Sequence, residues 1–331
     1  MRCISQQSVR AMWGPVLLIC LSVAAATPMT FDTFVKKFDK VYASEAEQRM
    51  RRQIFVDNVA HIEMHNSENN LYKLGVNEFS DLTNEEFECK LFGYNSGSDK
   101  MTNSVNSTTL TSFLGDQLLE ALPPSVDWRD KGAVTPVKTQ GPCGACWTFS
   151  ATGALEGAVK VNYGRLMSFS EEQFVDCATQ RYGNLGCHGG KPSNAFAYAR
   201  EHGLCAEKAY PYAPAPSGRP CMDRRCQALL PPGIVQGVVQ VPKTEEALMV
   251  ALTRAPVSIA VESQDVLRHY AGGVLTAPCG KKLNHAILAI GYGQENNIKY
   301  WIVKNSWGTT WGEQGFARLV RGKDECGILD V

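Results

Sequence analysis

One cysteine draws together the side chains of this sequence that could do chemistry. Cys146 stands where the turn Gln140-Gly141-Pro142-Cys143-Gly144-Ala145 runs into a stretch with Phe149, Leu155, Ala158 and Val159 at near-helical spacing. A helix start offers free N–H groups and partial positive charge. Both favour thiolate over thiol, and the thiolate is the nucleophile. A nearby imidazolium would favour it further. Attack on a carbonyl also needs donors for the oxyanion, and the Cys146 backbone N–H and the Gln140 side-chain amide could supply two. The base must come from elsewhere. Of six histidines, His61, His65, His188, His202 and His269 read as solvated or structural. His285 opens the apolar run Ala286-Ile287-Leu288-Ala289-Ile290, where a strand end could face a helix start across a cleft. Asn305, in Lys304-Asn305-Ser306-Trp307-Gly308, could fix the imidazole tautomer by accepting its other N–H, with Trp307 shielding that bond. Taken alone, His285 is an ordinary strand-end histidine; only the constellation makes it a base.

These groups need a scaffold that brings a helix start to a strand end. The stretches Cys146–Tyr163, Ser170–Cys177 and Ser193–His202 suit helices. After about residue 230 the pattern changes to strands: Val257–Val261, Ala286–Gly291, Tyr300–Lys304 and Phe316–Val320. Helices first and strands second imply an α+β fold whose two lobes meet at a cleft. Upstream, Phe31 to Phe92 looks helical, and Gly93 to Ala121 turns polar and low in complexity, as an exposed linker does. Asn106-Ser107-Thr108 in that linker is an N-glycosylation acceptor.

The composition frames this reading. With 331 residues, 44% apolar and 20% charged, the chain is globular rather than disordered. A formal net charge of +0 argues against nucleic acid or an anionic membrane as partner. Twelve cysteines suggest an oxidising compartment. The N-terminus agrees: Arg2 and Arg10 precede or open a short apolar run, Ala11 to Ala26, that ends in Ala24-Ala25-Ala26. Residues 1–26 therefore read as a cleaved secretory signal, too short and too broken by Gly14 and Pro15 to span a membrane. Acidic residues exceed basic ones by six over 27–121, and basic exceed acidic by four over 122–331, so the first segment could dock on the second.

At this point the sequence resembles the papain-like cysteine proteases, closest to the cathepsin L type. Cys143-Gly144-Ala145-Cys146-Trp147 fits the family's pattern around its nucleophile. The likeness extends to Val126-Asp127-Trp128-Arg129, Gly132-Ala133-Val134-Thr135-Pro136-Val137-Lys138, Gly186-Cys187-His188-Gly189-Gly190, Tyr210-Pro211-Tyr212, Gly291-Tyr292-Gly293, Asn305-Ser306-Trp307-Gly308 and Trp311-Gly312. By that resemblance Cys146 is the nucleophile, His285 the general base and acid, Asn305 the orienter and Gln140 an oxyanion donor. It implies thiolate attack on a peptide carbonyl through an acyl-enzyme thioester, with no cofactor and no metal. It implies a two-lobe fold, helical on the left and an antiparallel β-barrel on the right, over 122–331. Asn284 precedes the base where many relatives have Asp, which alters the local field without removing a catalytic group.

The resemblance also assigns the segment 27–121 as an inhibitory propeptide. Glu47, Arg51, Phe55, Asn58, Ile62 and Asn66 fall within one arc of a helix and match the interleaved motif of such propeptides. Gly75, Asn77, Phe79 and Asp81 match the second motif, Gly-x-Asn-x-Phe-x-Asp. Cleavage near Ala121 to Pro123 would release the active form, and acid is expected to promote it by protonating carboxylates that hold the segment. The family pattern pairs Cys143 with Cys187, Cys177 with Cys221, and Cys279 with Cys326. Cys205 and Cys226 remain; a fourth bridge is expected between them, with two further free thiols as the alternative, and Cys146 stays free.

Carried over by the same similarity, Gly189, Gly190 and Trp307 face the substrate. Lys191, Pro192, Ala260, Leu283 and Val331 form the pocket for the second residue upstream of the scissile bond, which should take an apolar side chain. Lys191 is expected to snorkel outward, or else to attract acidic substrates. No His-bearing insertion of the exopeptidase kind is visible, so an endopeptidase is expected. The implied partners are protein and peptide substrates, the chain's own propeptide and cystatin-like inhibitors, for a monomer in the lysosome, the endolysosome or outside the cell. Three rival readings fit the sequence less well. A thioredoxin-like Cys143-x-x-Cys146 pair lacks a βαβ context. A zinc deaminase built on His61-Ile62-Glu63 and Pro142-Cys143-x-x-Cys146 would be split by the linker. A catalytically inactive papain-fold storage or binding protein would lack one of the four catalytic positions, and all four are present.

Overall fold

A seven-stranded sheet and a long helix lying on it position the chemistry. The computed structural model describes residues 29–68, 70–95, 104–105, 122–213 and 219–330. The candidate signal segment, Asn106 with its acceptor triplet, and Val331 lie outside the described residues. The helix α4 (Cys146–Tyr163) ends at Gly164, whose left-handed φ of 73° closes the last turn. The sheet is ordered β1-β8-β11-β10-β9-β3, with β7 also on β9, for β1 (Tyr72–Leu74), β3 (Val126–Asp127), β7 (Val257–Val261), β8 (Tyr270–Leu275), β9 (His285–Glu295), β10 (Ile298–Lys304) and β11 (Phe316–Val320). Every pairing in that sheet is antiparallel except β11 on β8, which is parallel; outside it β2 (Ser104–Val105) pairs parallel with β6 (Val238–Val239), and β4 (Leu204–Cys205) antiparallel with β5 (Ala228–Leu230).

The helix can lie close to the sheet because its facing side is small. A Cβ at Gly153 would come within 2.7 Å of Leu288 Cδ2 on β9. That close approach sets the start of α4 beside the start of β9. On the other side of α4, Trp147, Leu155, Phe169, Phe174 and Tyr198 make the helical lobe's core. Phe174 and Tyr198 come from α5 (Glu171–Cys177), capped by the Ser170 side chain, and α6 (Pro192–His202), opened by a proline at its first turn. Disulfides join Cys143 to Cys187, Cys177 to Cys221, Cys205 to Cys226 and Cys279 to Cys326. Among the described residues Cys89 and Cys146 are free.

The N-terminal segment is not helical throughout. It forms α1 (Phe31–Lys37), α2 (Glu45–Ser67), β1 and α3 (Asn84–Leu91). β1 departs from the helical expectation because the edge of β8 offers it a ladder: Tyr72 and Lys73 pair antiparallel with Gly273 and Gly272. The segment thus adds a strand to the sheet of the second lobe. The α2 arc is spent mostly on holding the segment's own loops. Arg51 reaches Glu86 and the Asp81 carbonyl, with Glu47 3.8 Å away. Asn58 donates to the carbonyls of Ser80 and Leu82, and Asn66 brackets Leu74 through both its amide and its oxygen. Phe55 packs on Phe31 and Phe34, and Ile62 is buried in the large core shared with the sheet.

Candidate active site

Cys146 is the first residue of α4 and is fully buried. Its Sγ accepts the backbone N–H of Ala286 at 3.4 Å, so the residue next to His285 touches the sulfur. His285 is also fully buried; its Nε2 lies 2.9 Å from Asn305 Oδ1, and its Nδ1 has no hydrogen-bond partner among the described residues. Asn305 Oδ1 is fixed in turn by the Ser306 N–H at 2.8 Å. The Trp307 indole stacks on the imidazole at 4.7 Å and 24°. With Asn305 engaging one ring nitrogen and the indole covering one face, Nδ1 is the nitrogen left to exchange a proton. Gln140 is held by its own chain: its Oε1 accepts from Ser306 Oγ at 2.6 Å, and its carbonyl accepts from the Tyr212 hydroxyl at 2.7 Å.

The N-terminal segment runs through this site. Gln140 Nε2 donates to the Leu91 carbonyl at 2.8 Å and to the Cys143 carbonyl at the same distance. Phe92 lies 5.9 Å from the His285 ring. The Gly93 carbonyl accepts from Gly190 N–H, Tyr94 N–H donates to the Asn284 carbonyl, and Asn95 N–H donates to the Gly190 carbonyl. Only glycine fits at 93, because a Cβ there would overlap the Gly144 carbonyl. The chain therefore passes Gln140 first, then the sulfur, then Gly190, and it bridges Gly190 in parallel.

Covering the cleft changes its electrostatics. Burial pushes the Cys146 thiol up to about 11, against the lowering by backbone N–H groups of Ala286, Gly93, Trp147 and Cys146 itself. Burial pushes His285 down to about 4, against the raising by Asn305. The thiolate expected from a helix start is therefore not the resting state here, because desolvation outweighs the helix-end donors. In the intact chain, iodoacetamide at neutral pH is expected to modify exposed Cys89 at least about tenfold faster than Cys146. Mass mapping of the two cysteine peptides over time checks this, and equal rates would show that the cleft stands open.

The comparisons with known proteins agree with this geometry. Residues 122–331 match the papain family cysteine protease profile, and residues 31–87 match the cathepsin propeptide inhibitor domain. The chain belongs to the papain family of cysteine proteases. It is 42% identical over 330 residues to the senescence-specific cysteine protease SAG39 of Oryza sativa subsp. japonica, covering 94% of this chain and 93% of that one. It is 39% identical to pro-cathepsin H of Mus musculus over 338 residues, covering 96% and 97%. Among solved structures, a recombinant stem bromelain precursor superposes with a TM-score of 0.79 at 39% identity, covering 90% of this chain and 95% of that one. Digestive procathepsin L 3 of Tenebrio molitor larval midgut gives 0.75 at 36%, covering 90% and 95%.

As a papain-family proenzyme, the chain places its remaining candidates as follows. Gly189 and Gly190 lie directly against Gly93. Lys191 and Pro192 line an apolar cavity of about 440 Å³ together with Tyr94, Leu155, Ile259 and Ile328. Lys191 does not snorkel into water: it is 9% exposed and lines this cavity. Ala260 is fully buried and does not line that cavity, and Leu283 stands beside Gly327. Sequence reasoning missed Phe87, which packs edge-on against Trp307 at 5.1 Å, and Ser306, which orients Gln140. An aromatic four residues past the α3 cap, Thr83, was the available signal for Phe87.

Proposed function

We propose that the mature enzyme is a cysteine endopeptidase and that the segment before residue 122 holds it silent. Once the cleft is uncovered, His285 takes the Cys146 proton and the sulfur attacks the peptide carbonyl carbon. The oxyanion is met by the Cys146 N–H and Gln140 Nε2. The C–N bond breaks, the imidazolium gives its proton to the leaving amine, and a thioester remains. Water, deprotonated by His285, then attacks that thioester; the acid leaves and the thiol is restored. Two observations carry this reading: the Cys146 sulfur accepts the N–H of Ala286, the residue next to His285, and His285 is held by Asn305.

Silence follows from direction. A substrate that sets its upstream residue on Gly190 and its carbonyl beside Gln140 runs opposite to residues 91–95. The covering strand also occupies the Gln140 amide through Leu91, so the oxyanion donor is engaged. We place the cleavage that frees the enzyme between Ala121 and Pro123 and assign residues 1–26 as the secretory signal, with a lysosomal or extracellular destination. A monomer, inhibited by cystatin-like proteins, completes the proposal. The wall formed by Pro192, Leu155, Ile259 and Ile328 favours an apolar residue second upstream of the scissile bond.

A peptide-library profile of the processed protein tests this reading: cleavage within peptides after an apolar second-upstream residue is expected. In the same assay Gln140→Ala is expected to lower kcat about 10²- to 10³-fold. Preference for free termini, or a Gln140→Ala enzyme of full activity, would refute the assignment.

A further inference from the structure

The carboxylates expected to sense acid answer to groups of their own segment. Asp81 is held by Lys40 and Tyr42, and Glu86 by Arg51. Protonating them loosens the propeptide's own fold, and so only indirectly its grip on the enzyme. Across the interface the titratable group is of another kind. His269, between α7 (Asp265–Arg268) and β8, is 1% exposed beneath the propeptide loop 75–80. Its carbonyl accepts the Gly75 N–H at 2.8 Å, and its Nδ1 lies 3.5 Å from Ser80 Oγ. Its Nε2 is buried with no hydrogen-bond partner among the described residues. Neighbouring Arg268, 2% exposed, donates to the Leu82 carbonyl and to Asn58 Oδ1, and its own carbonyl accepts from Asn77 Nδ2 at 2.6 Å.

We propose that His269 is an acid-operated release for the propeptide, neutral while the propeptide covers it and protonated in the undocked enzyme. The inference rests on the reading of residues 31–95 as the inhibitory segment, and it names the group through which acid acts.

The surroundings of His269 oppose an imidazolium. Burial acts first and the Arg268 guanidinium second, with His61 on α2 adding to them, and together they push His269 down to about 3. Asp265 acts the other way, with its carboxylate engaged by Arg268 Nη2 at 2.7 Å, and so does the Gly75 backbone, which is the smallest of these influences. Two further groups titrate when the propeptide docks. Burial raises Glu78 on the propeptide loop, so Glu78 makes docking stronger as pH falls, and the histidine must overcome it. Burial also lowers His285, which adds to the histidine's effect. For His269 the sign is plain: a base whose docked value lies below its free value favours docking above the free value. The advantage is lost as pH falls from the ordinary histidine value toward the docked one. With a free value of about 6.5, this group alone weakens docking about 50-fold between pH 6.5 and 4.5.

The test uses the full-length zymogen. Cys146 alkylation by iodoacetamide reports opening of the cleft, and exposed Cys89 on the same molecule serves as the standard for intrinsic thiol reactivity. From pH 6.5 to 4.5 the Cys146-to-Cys89 rate ratio is expected to rise about 50-fold more in the wild type than in His269→Phe. Contributions from Glu78 and His285 are common to both proteins and cancel. His61→Gln, at an exposed position, is expected to remove a smaller part of the rise, about two- to fivefold. An identical pH dependence in wild type and His269→Phe overturns the proposal. If His269→Phe does not fold, histidine NMR titration of the Cys146→Ala zymogen decides. A His269 value well below 5 supports the release, and an ordinary value overturns it. A wild-type zymogen whose Cys146 is unprotected at every pH would instead overturn the inhibitory reading itself.

Discussion

Cys146→Ala, processed in trans so that maturation does not depend on its own activity, is expected to lose about 10⁵- to 10⁶-fold in kcat on a fluorogenic peptide. In the proposed mechanism the Sγ removed is the atom that forms the thioester, and no other described thiol can replace it. Cys89 lies before the proposed cleavage site, and the other described cysteines are bridged. Asn305, Gln140 and His285 would stay in place, because their bonds to one another and to Ser306 do not pass through the sulfur. The variant should therefore melt within about 1 kcal/mol of the wild type, since only a single small group leaves a buried site. Turnover within tenfold of the wild type would mean that another nucleophile does the work.

Phe87→Ala should have the largest effect on autoinhibition. Phe87 is 1% exposed and stands edge-on to Phe79, Phe92 and Trp307 at 5.2, 5.6 and 5.1 Å. It links α3 to the indole that covers His285, so its removal opens a void where the propeptide meets the catalytic residues. Truncation of a buried Phe costs about 3–5 kcal/mol. The N-terminal segment and its grip on the cleft share that cost. The intact zymogen is therefore expected to alkylate at Cys146 about a hundredfold faster or more at neutral pH. Met50→Ala, at an exposed position of α2, is the control and should leave the rate unchanged. A Phe87→Ala zymogen as protected as the wild type would mean that residues 91–95 hold the cleft without help from α3.

The chemistry was legible in the sequence because residue type carries it. A cysteine after a Gly-bearing turn, an amide six residues before it, and a histidine and an asparagine at two strand ends have few other uses together. The helices at 146–163 and 171–177 and the strands at 257–261 and 316–320 were legible for a similar reason, since apolar period and end signals are local. β1 was not legible. Three residues, Tyr72–Leu74, become a strand only because Gly272 and Gly273, about 200 positions later, present an open ladder.

What only the tertiary structure decided is the state of charge. Whether Cys146 rests as thiol or thiolate and whether His269 can take a proton both depend on what covers them. In each case the cover is a segment far away in sequence: Gly93 over Cys146, and Gly75 to Ser80 over His269. Reactive groups are chosen by covalent chemistry, which the sequence states outright. Their protonation is set by desolvation, a property of the surrounding volume that forms only when remote parts of the chain meet.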